Sequence, residues 1–304
     1  MTDPPAQPAA AARDGPAQGA MVSLSAAHLQ QVCDFVYRRT GMAYGEAKRF
    51  YIERRVSERM ALAGAASFHD YMILLQSDAG RAGGEAEKLI NSFTVNETYF
   101  YREEHQLRCL SRSLLPDIAA RRRPGDIIRL WSVPCATGEE SYSLAIWLLE
   151  NWALVDAYHV EIIGSDIDTR VLEAAVAGEY GERALSRLPA DVTARYFQRL
   201  GPDRWRIIQD LRESVRYAPV NLVDRESMAA YGVFDVIFCR NVLIYFDDKS
   251  RRIAAENLFR ATNDGGYICL GHTESMGRIS PLFRARRFAD ATVFQRVAGA
   301  GAAA

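Results

Sequence analysis

Apolar and polar positions follow two different periods along this chain, and the first gives way to the second near residue 125. Upstream the period is helical. Leu29, Val32 and Val36 recur three or four apart, Ser25 stands where an N-cap oxygen is wanted, and Gly41 can end the segment. A second helix is predicted with Ile52, Val56 and Met60 on one face and Lys48, Arg55 and Arg59 on another, Arg49 and Arg54 lying nearby. Phe68, Tyr71, Met72 and Leu75 mark a third, and Leu89, Ile90 and Phe93 a fourth, with turn-forming residues at 77–80 and 82–84 between them. Together they predict an all-helical domain over residues 23–95.

A further helix carrying Leu107, Leu110, Leu114 and Ile118 ends at Arg121-Arg-Arg-Pro-Gly125, and the pattern changes. Buried-type strands at 127–133, 160–165, 234–239 and 267–270 now alternate with helices at 139–150, 169–177 and 248–261. This is the signature of βαβ units around a largely parallel sheet, so a doubly wound α/β domain is expected over 96–298. The alternation lapses over about 179–215, where Trp205 to Ile208 reads as a short strand in an inserted β-containing subdomain. The Ala-, Pro- and Gly-rich residues 1–22 read as a disordered tail and 299–304 as a flexible one.

Composition narrows the function classes. Among 304 residues, 37 Lys and Arg nearly cancel 38 Asp and Glu, so net charge gives no drive toward nucleic acid or anionic lipid. Five cysteines without a CxxC pair argue against a disulfide framework or zinc site and suit the reducing cytoplasm. The first twenty residues lack a signal peptide's apolar block, and no apolar run reaches the roughly 20 residues of a membrane helix. The five histidines show no ligand spacing, so no metal is expected.

In open α/β sheets the ligand lies beyond the carboxyl ends of the strands. Three strand-ending turns stand out. Trp131-Ser-Val-Pro-Cys-Ala-Thr-Gly-Glu-Glu-Ser141 has one glycine, so the GxGxxG dinucleotide fingerprint is absent. Glu139 and Glu140 would repel a pyrophosphate and welcome a cation, or would simply favour a helix N-terminus. Ile163-Gly-Ser-Asp-Ile-Asp168 ends a strand with Asp166, placed to bond ribose hydroxyls, while Asp168 reads as a helix cap. Phe238-Cys-Arg-Asn-Val-Leu-Ile-Tyr-Phe246 sets a polar Arg-Asn pair in an apolar run and offers Asn241 and Tyr245. Upstream, the segment from Phe93 to Arg102 could cover the pocket with Asn96, Thr98 and Arg102, the last as a carboxylate clamp.

Taken in order, Thr94-Val-Asn-Glu-Thr-Tyr-Phe-Tyr-Arg102, Ala136-Thr-Gly-Glu-Glu-Ser-Tyr-Ser143, Ser165-Asp-Ile-Asp168, the Val220-Asn-Leu222 strand and 238–246 resemble the chemotaxis receptor methyltransferase family, as does Gly271-His-Thr-Glu-Ser275. The resemblance covers roughly residues 23–297. It implies a Rossmann-like methyltransferase domain that binds S-adenosylmethionine through Asn96, Thr98, Arg102, Glu140, Asp166, Asn221, Leu222, Asn241 and Val242, with Asp166 on the ribose. Arg102 and Tyr245 would stand nearest the transferred methyl. The implied reaction esterifies receptor glutamates and leaves S-adenosylhomocysteine. Ser141, Ala136 and Tyr101 depart from the family's usual proline, serine and phenylalanine.

The implied partner is the cytoplasmic helical region of chemoreceptors, to whose membrane arrays the chain would be recruited. Lys48, Arg55 and Arg59 are either its docking face or a solvated one. The hairpin around Gly201-Pro-Asp-Arg-Trp205 is short, which favours direct recognition over tethering through a receptor's C-terminal pentapeptide. Rival readings are a non-catalytic adaptor, a nicotinamide oxidoreductase, which lacks its glycines, and a small-molecule methyltransferase, which has no need of the helical domain. Nucleic acid is discounted as acceptor because stacking aromatics do not accompany the basic residues.

Overall fold

The computed structural model describes residues 22–78, 80–276 and 280–297. The expected tails at 1–22 and 299–304 therefore lie, but for Val22, outside the described residues. Two compact units emerge, one comprising the chain up to Gln30 with Glu46–Leu89, the other Gln31–Gly45 with Ile90 onward. The helices expected over 23–95 fall partly in each unit.

Four helices account for the upstream pattern: α1 (Ala26–Thr40), α2 (Arg49–Ala63), α3 (Phe68–Ser77) and α4 (Glu85–Phe93). The Ser25 and Ser67 hydroxyls accept the His28 and Asp70 amides and so cap α1 and α3. Gly64, at φ 67°, ends α2. Within the first unit Ile52, Val56, Met60, Phe68, Tyr71 and Leu75 are buried as the helical period requires. The basic face behaves differently from a solvated stripe. Arg59 folds inward onto buried Glu85, 2.5 Å from Nη2 to Oε2, and Arg55 pairs with Glu58 and lies over Tyr51. Arg59 is therefore half of an ion pair inside the helical unit.

The second unit begins its sheet domain with a continuous helical rod: α5 (Glu104–Cys109), a π turn (Leu110–Leu114) and α6 (Leu115–Ala119). The alternation that follows is β1 (Ile127–Ser132), α7 (Glu139–Asn151), β2 (His159–Asp166) and α8 (Thr169–Ala177). Next come β3 (Glu179–Tyr180), α9 (Glu182–Leu185), α10 (Ala190–Tyr196), β4 (Phe197–Gly201), β5 (Arg204–Ile207) and α11 (Gln209–Ser214). The chain then returns through β6 (Val215–Pro219), α12 (Arg225–Ala229), β7 (Phe234–Cys239), α13 (Asp248–Ala261) and β8 (Thr262–Leu270). It finishes with β9 (Phe283–Arg287) and β10 (Thr292–Arg296).

Seven strands form the main sheet in the order β6-β2-β1-β7-β8-β10-β9, and β3-β5-β4 form a separate small one. The first five are mutually parallel, and β10 runs antiparallel to both neighbours. Every residue of β7 is buried, as a central parallel strand covered on both faces must be. The strand order reverses at β1, so the crevice above β1, β2 and β7 is the topological switch point.

Three expectations need correction. The strand expected at Val220-Asn-Leu222 ends earlier, at Pro219, which leaves Asn221 and Leu222 in the turn beyond it. In the inserted subdomain the strand expected at Trp205 to Ile208 is β5, Arg204–Ile207, and the hairpin around Gly201 is joined by a third strand, β3. The closing β9–β10 hairpin went unread because Phe283-Arg-Ala-Arg-Arg287 has the charge of an edge strand protected from pairing, not the apolar alternation of a core one.

Candidate active site

Each wall of the crevice is set by how one strand ends. After β1 the chain turns through Ala136, at φ 46°, and Gly138, at φ 92°, into α7. A Cβ on Gly138 would lie 2.7 Å from the Tyr217 hydroxyl and 2.9 Å from Ala175, so glycine alone fits this turn. The Ala136 amide points at the end of β2 and donates to Asp166 Oδ2 at 3.0 Å, while the Asp168 amide donates to Asp166 Oδ1 at 2.9 Å. Asp166 is only 4% exposed. Burial pushes its carboxyl up to about 6, and these two amides only partly oppose it.

Asp168 plays a larger part than a cap. It accepts the Arg170 amide at 3.0 Å as the N-cap of α8, and its other oxygen accepts Thr94 Oγ1 at 2.6 Å and Asn96 Nδ2 at 3.1 Å. Burial works against ionisation, but Arg170, Thr94 and Asn96 outweigh it and hold the carboxyl below its ordinary range. This ties the 94–96 segment across the end of β2. The same segment then reaches Arg102 between two non-glycine residues at positive φ, Tyr101 at 57° and Glu103 at 54°. Arg102 donates to the Glu97 carbonyl at 2.6 Å and lies over the Tyr99 ring.

Of the two glutamates that open α7, only Glu140 faces the crevice. Glu139 is buried and receives the Thr137 hydroxyl at 2.6 Å. Glu140 accepts Ser132 Oγ at 2.8 Å and pairs with buried Arg240 at 2.7 Å. Burial still raises its carboxyl, against the pull of Arg240. Arg240 also donates to the Arg102 carbonyl at 2.9 Å, so of the polar pair in the β7 turn both line the cavity and Arg240 also braces two of its walls.

The resulting cavity encloses about 690 Å³ of space open to solvent, within the range of small-molecule sites. Asn96, Thr98, Arg102, Glu140, Asp166, Asn241, Val242 and Tyr245 all line it. Asn221 and Leu222 line a neighbouring apolar recess that shares Met42, Pro134, Asp166, Ile167 and Val242 with it. All the residues expected at the site are thus gathered in two adjoining hollows.

Several are committed to holding the walls. Asn221 donates to the Arg39 carbonyl at 2.6 Å and accepts the Val223 amide at 3.2 Å. The amides of Asn241 and Val242 are taken by Glu274. Those two residues therefore offer a ligand their carbonyls and side chains only. His272 is exposed, 3.1 Å from Glu103, and does not line the cavity. Met42 and Ile167 line it without having been singled out; Met42 comes from the loop after α1, where nothing in the sequence marks it.

The donor set selects among ligands. Asp166 uses two acceptor positions and retains others for hydroxyl donors. Both signs of charge line the cavity, Arg102 and Arg240 beside Glu97, Glu140 and Asp166, and the amides of Asn241, Val242 and Leu243 are already occupied by Glu274. A nucleoside with free ribose hydroxyls suits the acceptor positions that Asp166 retains.

Residues 27–94 match the family description "CheR methyltransferase, all-alpha domain", and residues 96–290 match "CheR methyltransferase, SAM binding domain". The chain belongs to the CheR methyltransferase family. It is 43% identical over 86% of its length to chemotaxis protein methyltransferase 2 of Vibrio cholerae, 90% of which is covered. To chemotaxis protein methyltransferase 2 of Pseudomonas aeruginosa it is 37% identical, over 84% of this chain and 89% of that one. The Escherichia coli chemotaxis protein methyltransferase is 34% identical, over 87% and 90%. The family's methyl donor, S-adenosylmethionine, has the free ribose hydroxyls that Asp166 can accept.

Proposed function

We propose that this chain transfers the methyl group of S-adenosylmethionine to glutamate side chains of chemoreceptors, as a protein-glutamate O-methyltransferase, with Asn96, Thr98, Arg102, Glu140, Asp166, Asn221, Leu222, Asn241 and Val242 on the donor. The observation that carries this reading is the meeting of Arg102 and Tyr245 on one cavity whose buried carboxylate, Asp166, suits a ribose. The donor supplies an activated methyl on a sulfonium. A glutamate carboxylate, with a reference pKa of about 4.3, arrives ionised and needs no general base. The remaining task is alignment.

Arg102 suits that task. One of its five N–H donors is spent on the Glu97 carbonyl, which fixes the guanidinium while leaving a face for the incoming carboxylate. Tyr245 adds a hydroxyl from the turn after β7. The esterified receptor loses a negative charge, which makes the product a signal. Docking is assigned to Lys48 and Arg55, with Arg59 withdrawn into its pair with Glu85. The β4–β5 turn, only Pro202-Asp203 long, favours direct recognition over pentapeptide capture. None of the helices formed by described residues is long and apolar enough to cross a membrane; the reading places the chain in the cytoplasm, recruited to receptor arrays.

The test is incubation with methyl-labelled S-adenosylmethionine and chemoreceptor-bearing membranes. Label on the receptor that mild base releases, and that Arg102→Ala abolishes, is the expected result. Base-stable label, or label on small molecules alone, removes the glutamate assignment. Donor binding without turnover on a competent receptor identifies an adaptor instead.

A further inference from the structure

Beyond the cavity lining, one carboxylate holds more backbone than any cofactor-facing residue does. Glu274 lies in the turn after β8, the strand beside β7. Its Oε2 accepts the amides of Asn241 at 2.8 Å and Gly271 at 2.9 Å, and its Oε1 accepts those of Val242 at 3.0 Å and Leu243 at 2.7 Å. Three consecutive amides converging on one anion form a nest, the arrangement that elsewhere receives phosphate. Here the anion is part of the chain.

We propose that Glu274 is a positioning residue for methyl transfer: it fixes the 241–243 backbone so that Asn241, Val242 and Tyr245 face the donor cavity. Asn241 sits at φ 60°, a conformation that needs external support in a non-glycine residue. The four hydrogen bonds from these amides supply that support. Leu243 opens the short helical turn that ends at Tyr245, so the same carboxylate sets where the Tyr245 side chain begins. Gly271 belongs to the device. A Cβ there would stand 2.8 Å from Asn241 Nδ2, 2.9 Å from Glu274 Oε2 and 3.1 Å from the Asn241 amide, so a side chain would wedge the clamp open.

This inference rests on the cavity being the donor site, and its test separates the two. Wild-type chain, Glu274→Gln and Gly271→Ala are titrated with S-adenosylhomocysteine, and their steady-state constants are measured with receptor membranes. The glutamine is isosteric, but its NH2 faces amide donors and cannot accept from them. Glu274→Gln is expected to raise the Kd for S-adenosylhomocysteine and the KM for S-adenosylmethionine by tenfold or more, with the receptor KM unchanged. Gly271→Ala should move both in the same direction by less.

A purely structural role would lower apparent kcat through lost active fraction and leave both KM values alone. That pattern overturns the proposal, as does a Kd within twofold of wild type in either folded variant. Failure of both variants to fold assigns the clamp to the fold alone and also overturns it. If the wild-type chain does not bind S-adenosylhomocysteine, the proposed function falls, and this inference with it.

Discussion

Two buried carboxylates, one in each unit, show how a structural acid differs from a ligand-facing one. Glu85 in the helical unit is closed on every side. It receives Arg59 Nε at 2.9 Å and Nη2 at 2.5 Å, and the Tyr71 hydroxyl at 2.9 Å, while its own amide donates to Asp78. Burial, then Glu85, pushes the Tyr71 hydroxyl well up, so it stays a donor. Asp166 is as deeply buried, yet the hydrogen bonds to its carboxylate come from backbone amides rather than a cation, and it faces a cavity. The circuit at Glu85 is complete within the fold. The one at Asp166 is left for a ligand to complete.

Substitution should separate the two most sharply. Asp166→Ala is expected to weaken S-adenosylhomocysteine binding by about a hundredfold or more, since two charge-assisted hydrogen bonds to ribose are worth about 1.5 kcal/mol or more each. Calorimetry reads this directly, and a loss below tenfold would remove Asp166 from the ribose. Arg59→Met should do the reverse. It strands Glu85 without its cation and is expected to cost about 3 kcal/mol of stability, seen in thermal or denaturant unfolding, with ligand affinity below the melting temperature unchanged. Equal effects of the two variants on affinity would erase the distinction.

The contrast was only half legible in sequence. Asp166 announces itself at the end of an apolar strand, because the rule that ligands sit at strand ends is topological and needs no coordinates. Lys48, Arg55 and Arg59 share a helix face in sequence, but Arg59's partner lies 26 residues away beyond a turn, and no periodicity reports such a contact. The same limit hid the Glu140–Arg240 pair, whose members are motif residues a hundred positions apart. Local period identified the central strands because their burial is continuous. It missed the charged edge strand β9 and the loop residue Met42, whose roles depend on neighbours alone.

A pH titration sharpens the comparison further. In the ligand-free chain Asp166 has its carboxyl raised to about 6. The stability this group contributes is therefore fully present below its unfolded pKa and lost as pH rises through about 6. Ligand binding runs the other way, because hydroxyl donors want the ionised form. Affinity for S-adenosylhomocysteine should be level above pH 7 and weaken toward tenfold per unit below about pH 6. Asp166→Asn should flatten the curve. A wild-type affinity independent of pH from 5 to 8 would show that Asp166 does not meet the ligand as an anion.

The smallest expected effect lies at the reacting end. Tyr245 closes the short turn after β7: its amide donates to the Val242 carbonyl at 3.0 Å, and its carbonyl accepts the Ala43 amide at 2.9 Å. Main-chain bonds thus hold the backbone on both sides, and Tyr245→Phe removes the hydroxyl while keeping the ring. As the carboxylate attacks, its negative charge is spent. A single hydrogen bond to it therefore orients the nucleophile more than it stabilises the transition state. One such bond is worth about 0.5–1.5 kcal/mol, so kcat/KM for the receptor should fall by about two- to tenfold, with S-adenosylhomocysteine Kd within twofold of wild type. Loss of donor affinity would move Tyr245 from the acceptor's side of the cavity to the cofactor's, and unchanged kinetics would leave Arg102 to orient the glutamate alone.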